Sequence, residues 1–122
     1  MLDLNFDYKE QSVEKFDELS EVFKKLVSVF APFYGCITSR SNSSMFDTYY
    51  DKINNSPTSI FDINYWGEDI VNDLPISEIR KKVFECIEIN SGYYIRLQKE
   101  PINISNINHM KLQKDINCLL GF

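Results

Sequence analysis

The chain has very little of the chemistry on which most enzymes depend. Histidine occurs once in 122 residues, as His109, and the four glycines are far apart. A nucleophilic triad needs a base beside its serine or cysteine, and a phosphate-binding loop needs clustered glycines for close approach of the backbone. His109 lies three residues before Leu112 on a predicted helix, which is typical of a histidine at the edge of a core. We therefore expect no catalytic residues, and we predict that the protein is not an enzyme.

Metal-binding patterns are also scarce. The cysteines Cys36, Cys86 and Cys118 are odd in number, widely spaced and without a CxxC pair, which disfavours a structural zinc site. We interpret them as reduced, small buried hydrophobic residues. Carboxylates alone can bind Mg²⁺, and the candidates are Asp62, Glu68 and Asp69. The sequence places no base or electrostatic partner beside them, so we predict neither a metal nor a cofactor.

Long apolar segments and basic N-terminal residues are missing. The best apolar run, residues 26–37, contains Ser28 and Pro32 and is too short to span a bilayer. The N-terminus carries acids where a signal peptide needs bases. We therefore expect a cytoplasmic protein without membrane contact.

Positive charge is in deficit as well. The formal net charge is −5 and the pI is about 4.8, which disfavours nucleic-acid binding and favours basic partners. The alternative is that the acidity serves solubility alone.

The order of predicted elements indicates a single α+β domain over residues 1–122. Its length suffices for a core without disulfides or metal. The predicted order is β-α-β-loop-β-α-β-β-α, with helices packed on a mainly antiparallel sheet. The strongest element is an amphipathic helix at residues 12–30, capped by Ser12. Its predicted apolar residues are Val13, Phe16, Leu19, Val22, Phe23, Leu26, Val27 and Phe30.

The remaining elements rest on shorter patterns. The region 39–58 reads as a loop with a short helix near residues 45–53, and residues 59–65 read as a strand that Trp66 and Gly67 interrupt. Residues 86–98 read as a hairpin in which Gly92 takes the positive φ of a bulged turn. A last helix at residues 105–120 is predicted to stop at Gly121.

The middle of the chain combines acids with aromatic rings. Such a mixture suits a surface that grips a basic protein, because interface hot spots are enriched in Trp and Tyr and acids pair with Lys or Arg across an interface. The alternative for Trp66 is that its ring fills the core. The aromatic and acidic residues lie in two segments, the loop at 47–51 and the end of the predicted strand at 65–69. We expect these two segments to meet at one edge of the sheet. The predicted partner-binding residues are Asp47, Tyr49, Tyr50, Asp51, Tyr65, Trp66, Glu68 and Asp69.

The arrangement of these elements resembles the small immunity proteins of bacterial polymorphic-toxin and type VI secretion systems. The likeness covers most of the chain: the early amphipathic helix, residues 31–35 (Ala-Pro-Phe-Tyr-Gly), and the strand ending at Tyr65, Trp66 and Gly67. The Gly-Tyr-Tyr strand at 92–94 and the last helix ending Leu-Leu-Gly complete it. The resemblance implies a non-enzymatic inhibitor that binds one cognate toxin in the cytoplasm, often by covering its active site.

Two other functions stay open at this point. The first is a non-catalytic adaptor or scaffold domain, which predicts several partners or self-association, and a homo-oligomer is compatible with either binding role. The second is a small carboxylate-dependent hydrolase, which requires carboxylates with strongly shifted pKa values in a cleft.

Overall fold

The computed structural model describes residues 1–8, 12–46, 50–54 and 56–122. Helices and strands follow roughly the predicted order along these residues, with several short elements added. In chain order they are β1 (Leu2–Phe6), α1 (Val13–Phe30), β2 (Tyr34–Ser39), α2 (Arg40–Ser43), β3 (Tyr50–Asp51), β4 (Ser56–Pro57), β5 (Ile63–Trp66), α3 (Glu68–Val71), α4 (Ile76–Arg80), β6 (Glu85–Ile89), β7 (Gly92–Arg96) and α5 (Ile107–Leu120).

The main sheet has five strands in the order β1-β2-β5-β7-β6, and β3 pairs with β4 in a separate two-stranded sheet. Strands β1 and β2 are parallel, with α1 as the connection that a parallel pair requires. The pairs β2–β5, β5–β7 and β7–β6 are antiparallel. The predicted α+β class with a mostly antiparallel sheet is therefore confirmed.

Both faces of the sheet are covered, so its central strands β2 and β5 are buried along their whole length. Successive side chains of a strand point to opposite faces. Tyr65 accordingly packs in the cluster with Phe16 and Phe23 of α1, whereas Trp66 packs in the cluster with Ile116 of α5. A helix on each face thus gives two hydrophobic clusters separated by one sheet.

Helix α1 begins where the sequence predicts, but the sheet buries less of it than expected. The Ser12 hydroxyl accepts a hydrogen bond from the backbone N–H of Lys15 and caps the helix. Val22 and Phe30, which belong to the predicted apolar face, are 53% and 67% exposed. The expectation that they are buried is wrong. Val22 lies beside the narrower strip of Phe16, Phe23 and Val27 that touches the sheet, and Phe30 lies on the last turn, beyond the covered part of that strip. Val13, at the start of the predicted face, is also exposed.

The hairpin is present at the predicted place with a different turn. Asn90 and Ser91 have φ values of 51° and 64°, which makes a two-residue turn of the type favoured in hairpins. Gly92 is the first residue of β7 and does not have a positive φ, so its predicted role in the turn is wrong. A Cβ at Gly92 would instead lie 2.5 Å from the backbone oxygen of Trp66. Glycine is needed at this position because the neighbouring strand leaves no space for a side chain.

The segments around β5 also differ from prediction. The strand begins at Ile63 and includes Trp66, later than the predicted 59–65. The preceding buried backbone is held by α5, since Ile60 N–H donates to Asn117 Oδ1 at 2.7 Å and Gln113 Nε2 donates to the Ile60 carbonyl at 2.8 Å. The short helix predicted near 45–53 is wrong for the described part of that range, because helix α2 lies earlier and Tyr50 is extended, and residues 47–49 lie outside the described residues.

Candidate functional site

Two of the predicted binding residues, Tyr65 and Trp66, lie in the core. Tyr65 is 1% exposed and Trp66 is 0% exposed, so neither ring offers area to a partner. The alternative interpretation, that the Trp66 ring fills the core, is therefore correct. Tyr65 Oη donates to the Ile89 carbonyl at 2.8 Å, and burial raises its pKa. The Trp66 ring meets the edge of Phe122, 6.2 Å away between centroids. Both residues are therefore structural. Neighbouring residues of a strand point to opposite faces of the sheet, and both faces of this sheet are covered.

The acidic residues that follow β5 are exposed. Glu68 and Asp69 form the first turn of α3, and neither makes an ion pair with another residue that the structure describes. The strand stops at Gly67, whose N–H donates to the Phe33 carbonyl at 2.9 Å. A Cβ at Gly67 would lie 2.7 Å from that oxygen, so glycine permits the chain after β5 to lie directly against the chain before β2.

Tyr50 joins the loop region to this end of the sheet. Its ring centroid is 5.4 Å from that of Phe33 and 5.1 Å from that of Tyr34. Burial raises the pKa of Tyr50, and the charges of Asp51 and Asp69 raise it further. The two predicted segments therefore do come together at Tyr50 and Asp69. They meet at the ends of central strands rather than at a sheet edge.

Asp51 has a local structural role. Its Oδ1 accepts from the N–H groups of Ile53 and Asn54 at 2.9 and 3.2 Å, and its Oδ2 accepts from Asn54 Nδ2 at 2.6 Å. These bonds, chiefly that from the Asn54 side chain, lower the pKa of Asp51. The carboxylate thus stays ionised while it holds the turn. Asp47 and Tyr49, the other predicted residues of this loop, lie outside the described residues.

A cleft of about 230 Å³ opens at this end of the sheet. Its walls are the loop after α1, the turn after β5 and the tip of the β6–β7 hairpin. Phe33 lines the cleft and is 51% exposed, and Phe30, which directly precedes the lining residue Ala31, is 67% exposed. The described lining residues carry acids and no base: Ala31, Pro32, Phe33, Tyr65, Gly67, Glu68, Asp69 and Asn90.

We call Phe30, Phe33, Tyr50, Glu68 and Asp69 the sheet-end surface. The sequence patterns identified Tyr50 and the two acids, but they placed Phe30 on the apolar face of the first helix and did not include Phe33 among the binding residues. Pro32 is the sequence feature that could have indicated the exposure of Phe30. Proline ends the helix, and Phe30 therefore sits on a terminal turn that extends past the covered part of α1.

The carboxylates proposed for metal or hydrolase chemistry do not converge. Asp62 precedes β5, whereas Glu68 and Asp69 follow it, so the strand separates them. Asp62 is 1% exposed and binds Thr38 Oγ1 and Ile102 N, both at 2.7 Å. The described residues contain no group of three or more His, Cys, Asp or Glu side chains placed to hold a metal ion.

A larger cavity, of about 490 Å³, lies near the opposite ends of β1 and β2. Arg40, Ser41 and Asp7 contribute polar groups to its wall, together with Asn103 and Ser105. Asp62 is not among the lining residues described for either cavity. Asp62 is therefore buried beside the larger cavity without lining it, since its partner Ile102 directly precedes the lining residue Asn103.

His109 and the cysteines occupy structural positions, with one exception. His109 Nδ1 accepts from the Asn103 N–H at 3.0 Å, and Nε2 lies 3.3 Å from Glu100 Oε1. All three cysteines are free. Burial raises the pKa of the Cys36 thiol to about 12. Cys86 is half-buried and Cys118 is exposed on α5, so the expectation that every cysteine is buried holds only for Cys36.

The chain matches no protein-family model, no curated protein and no solved structure. Within the described ranges, no helix has both the length and the apolar character needed to cross a membrane.

Proposed function

We propose that this chain is an immunity protein, which binds a cognate bacterial toxin in the cytoplasm and neutralises it without catalysis. The observation that carries the proposal is the sheet-end surface. The exposed Phe33 lines one cleft with two carboxylates that no described cation neutralises, and the exposed Phe30 directly precedes Ala31 of the same cleft. The resemblance of the chain to small immunity proteins supports the same conclusion.

The two kinds of side chain have different tasks in this proposal. Phe30 and Phe33 supply apolar area that is removed from water when the partner docks. Glu68 and Asp69 attract a basic partner and orient it during encounter. Tyr50 supports Phe33 from behind through its edge-on ring contact, which keeps the exposed ring in place before binding.

The candidate partner to test is the product of the gene directly upstream of this chain's gene, which we expect to be the cognate toxin. We expect co-expression of the wild-type chain to protect cells from that toxin. The Phe33→Ala and the combined Glu68→Lys and Asp69→Lys variants should lose protection when the toxin is induced strongly. A matched control reverses Glu14 and Asp115, which are exposed acids elsewhere on the surface, and should protect as well as wild type.

Binding kinetics separate the two contributions. The charge reversals at Glu68 and Asp69 should lower the association rate about tenfold at low ionic strength, and added salt should shrink the difference. Phe33→Ala should raise the dissociation rate about tenfold, as loss of an interface anchor does. Circular dichroism confirms that each variant is folded.

Two results would contradict the proposal. Binding without protection would favour the adaptor alternative, since the surface would then serve assembly instead of inhibition. Wild-type kinetics in both the aromatic and the charge variants would remove the interface from the sheet-end surface.

A further inference from the structure

One flank of α1 carries an apolar seam that the rest of the protein leaves uncovered. Its residues Leu19, Val22, Leu26 and Val29 follow each other at steps of three, four and three. Val22 and Val29 are 53% and 75% exposed, and the two leucines are half-buried. Alternating steps of three and four are the spacing by which one helix packs along another.

The seam faces away from the polar contacts that α1 makes with the sheet. Asp17 accepts from Arg96 of β7 at 2.7 Å, and Lys24 donates to Glu85 of β6 at 3.0 Å. These two contacts hold one flank of the helix towards β7 and β6. The seam lies on the other flank, towards the edge strand β1, and runs along the helix rather than across its C-terminal end where the sheet-end surface lies.

The charges beside the seam complement one another between two copies of the helix. Glu18 and Lys25 directly precede Leu19 and Leu26, both are exposed, and neither has an ion pair among the described residues. When two α1 helices cross antiparallel at Val22, Glu18 of each copy lies opposite Lys25 of the other. A parallel pairing gives these charges no such partner, because each would then face the position of Phe23 or Phe30.

We propose that a second copy of this chain covers the seam from Leu19 to Leu26, with α1 packed antiparallel against α1 about a twofold axis at Val22. The contact is self-complementary, since the same apolar residues and the same charge pair occur on both sides. The residues that meet about this axis are Leu19, Val22 and Leu26 of each copy, and they make a small interface. Val29 lies seven residues beyond the axis, opposite Lys15 of the other copy, and stays outside the contact. We therefore expect a dimer in equilibrium with the monomer, and the sheet-end surface of each copy remains open to its partner.

Sedimentation equilibrium of the purified full chain at low salt tests the proposal. The wild type should dimerise as its concentration rises. Glu18→Lys alone and Lys25→Glu alone each place like charges opposite one another at both ends of the seam, so each should raise the dissociation constant about tenfold. The variant with both changes restores opposite charges and should dimerise as the wild type does.

A mixture of the two single variants gives the sharpest comparison. One variant presents two lysines at these positions and the other presents two glutamates, so the mixture should form a heterodimer more tightly than either variant forms a homodimer. A wild type that stays monomeric at millimolar concentration overturns the proposal. A mixture that associates no better than its components, with both variants folded by circular dichroism, overturns the antiparallel arrangement.

Discussion

Asp62 should make the stability of this protein decrease as the pH rises from about 4 to about 6. Its carboxylate is 1% exposed, and burial raises its pKa from 3.8 to about 6 although Thr38 Oγ1 and the Ile102 N–H both donate to it. The folded state therefore holds the proton more tightly than the unfolded chain. The stabilisation is complete below the unfolded pKa and is lost as the pH passes through the folded pKa.

The magnitude follows from the two pKa values of Asp62. Each unit between the unfolded and the folded pKa corresponds to about 1.4 kcal/mol, so the interval from 3.8 to about 6 amounts to about 3 kcal/mol. Most of this, about 2 kcal/mol, falls between pH 4 and pH 7. The free energy of unfolding should thus be lower at pH 7 than at pH 4 by that amount from this one group.

Urea denaturation at a series of pH values measures this effect when wild type is compared with Asp62→Asn. The amide keeps the shape of the carboxyl group, and it can accept from Ile102 and donate to Thr38 Oγ1, but it does not titrate. Other shifted groups, such as Asp3 and Asp51, are present in both proteins and cancel in the difference. A difference between the two proteins that stays constant from pH 4 to pH 7 would refute the reasoning.

Two further predictions concern the core and the thiols. Gly92→Ala should lower the free energy of unfolding by about 2 kcal/mol in urea denaturation, because its Cβ would lie 2.5 Å from the Trp66 carbonyl oxygen and overpacking costs about that much; an unchanged midpoint would show that the hairpin shifts freely. Thiol titration of the native protein should modify Cys118 first and Cys36 only after unfolding, since Cys36 is buried with a pKa of about 12. Denatured, non-reduced protein should yield three free thiols in total, and fewer would indicate a disulfide.

The features that local sequence determines are those whose causes lie within one element. Ser12 caps α1 through a bond to Lys15 three residues away, and Gly121 ends α5 with a φ of 80°. The hairpin of β6 and β7 follows from a short turn between two apolar strands. Propensity, caps and periodicity act over a few residues, so the fold class and the order of the main elements could be predicted from the chain alone.

The features that the tertiary structure decided depend on contacts between distant residues. Tyr65 and Trp66 are core residues because strands β2 and β7 flank β5 and helices cover both faces. Phe30 is exposed because the sheet covers only part of α1, although its spacing fits the apolar face. Periodicity states which residues share a face, but how much of that face another element covers is set by packing across the whole chain.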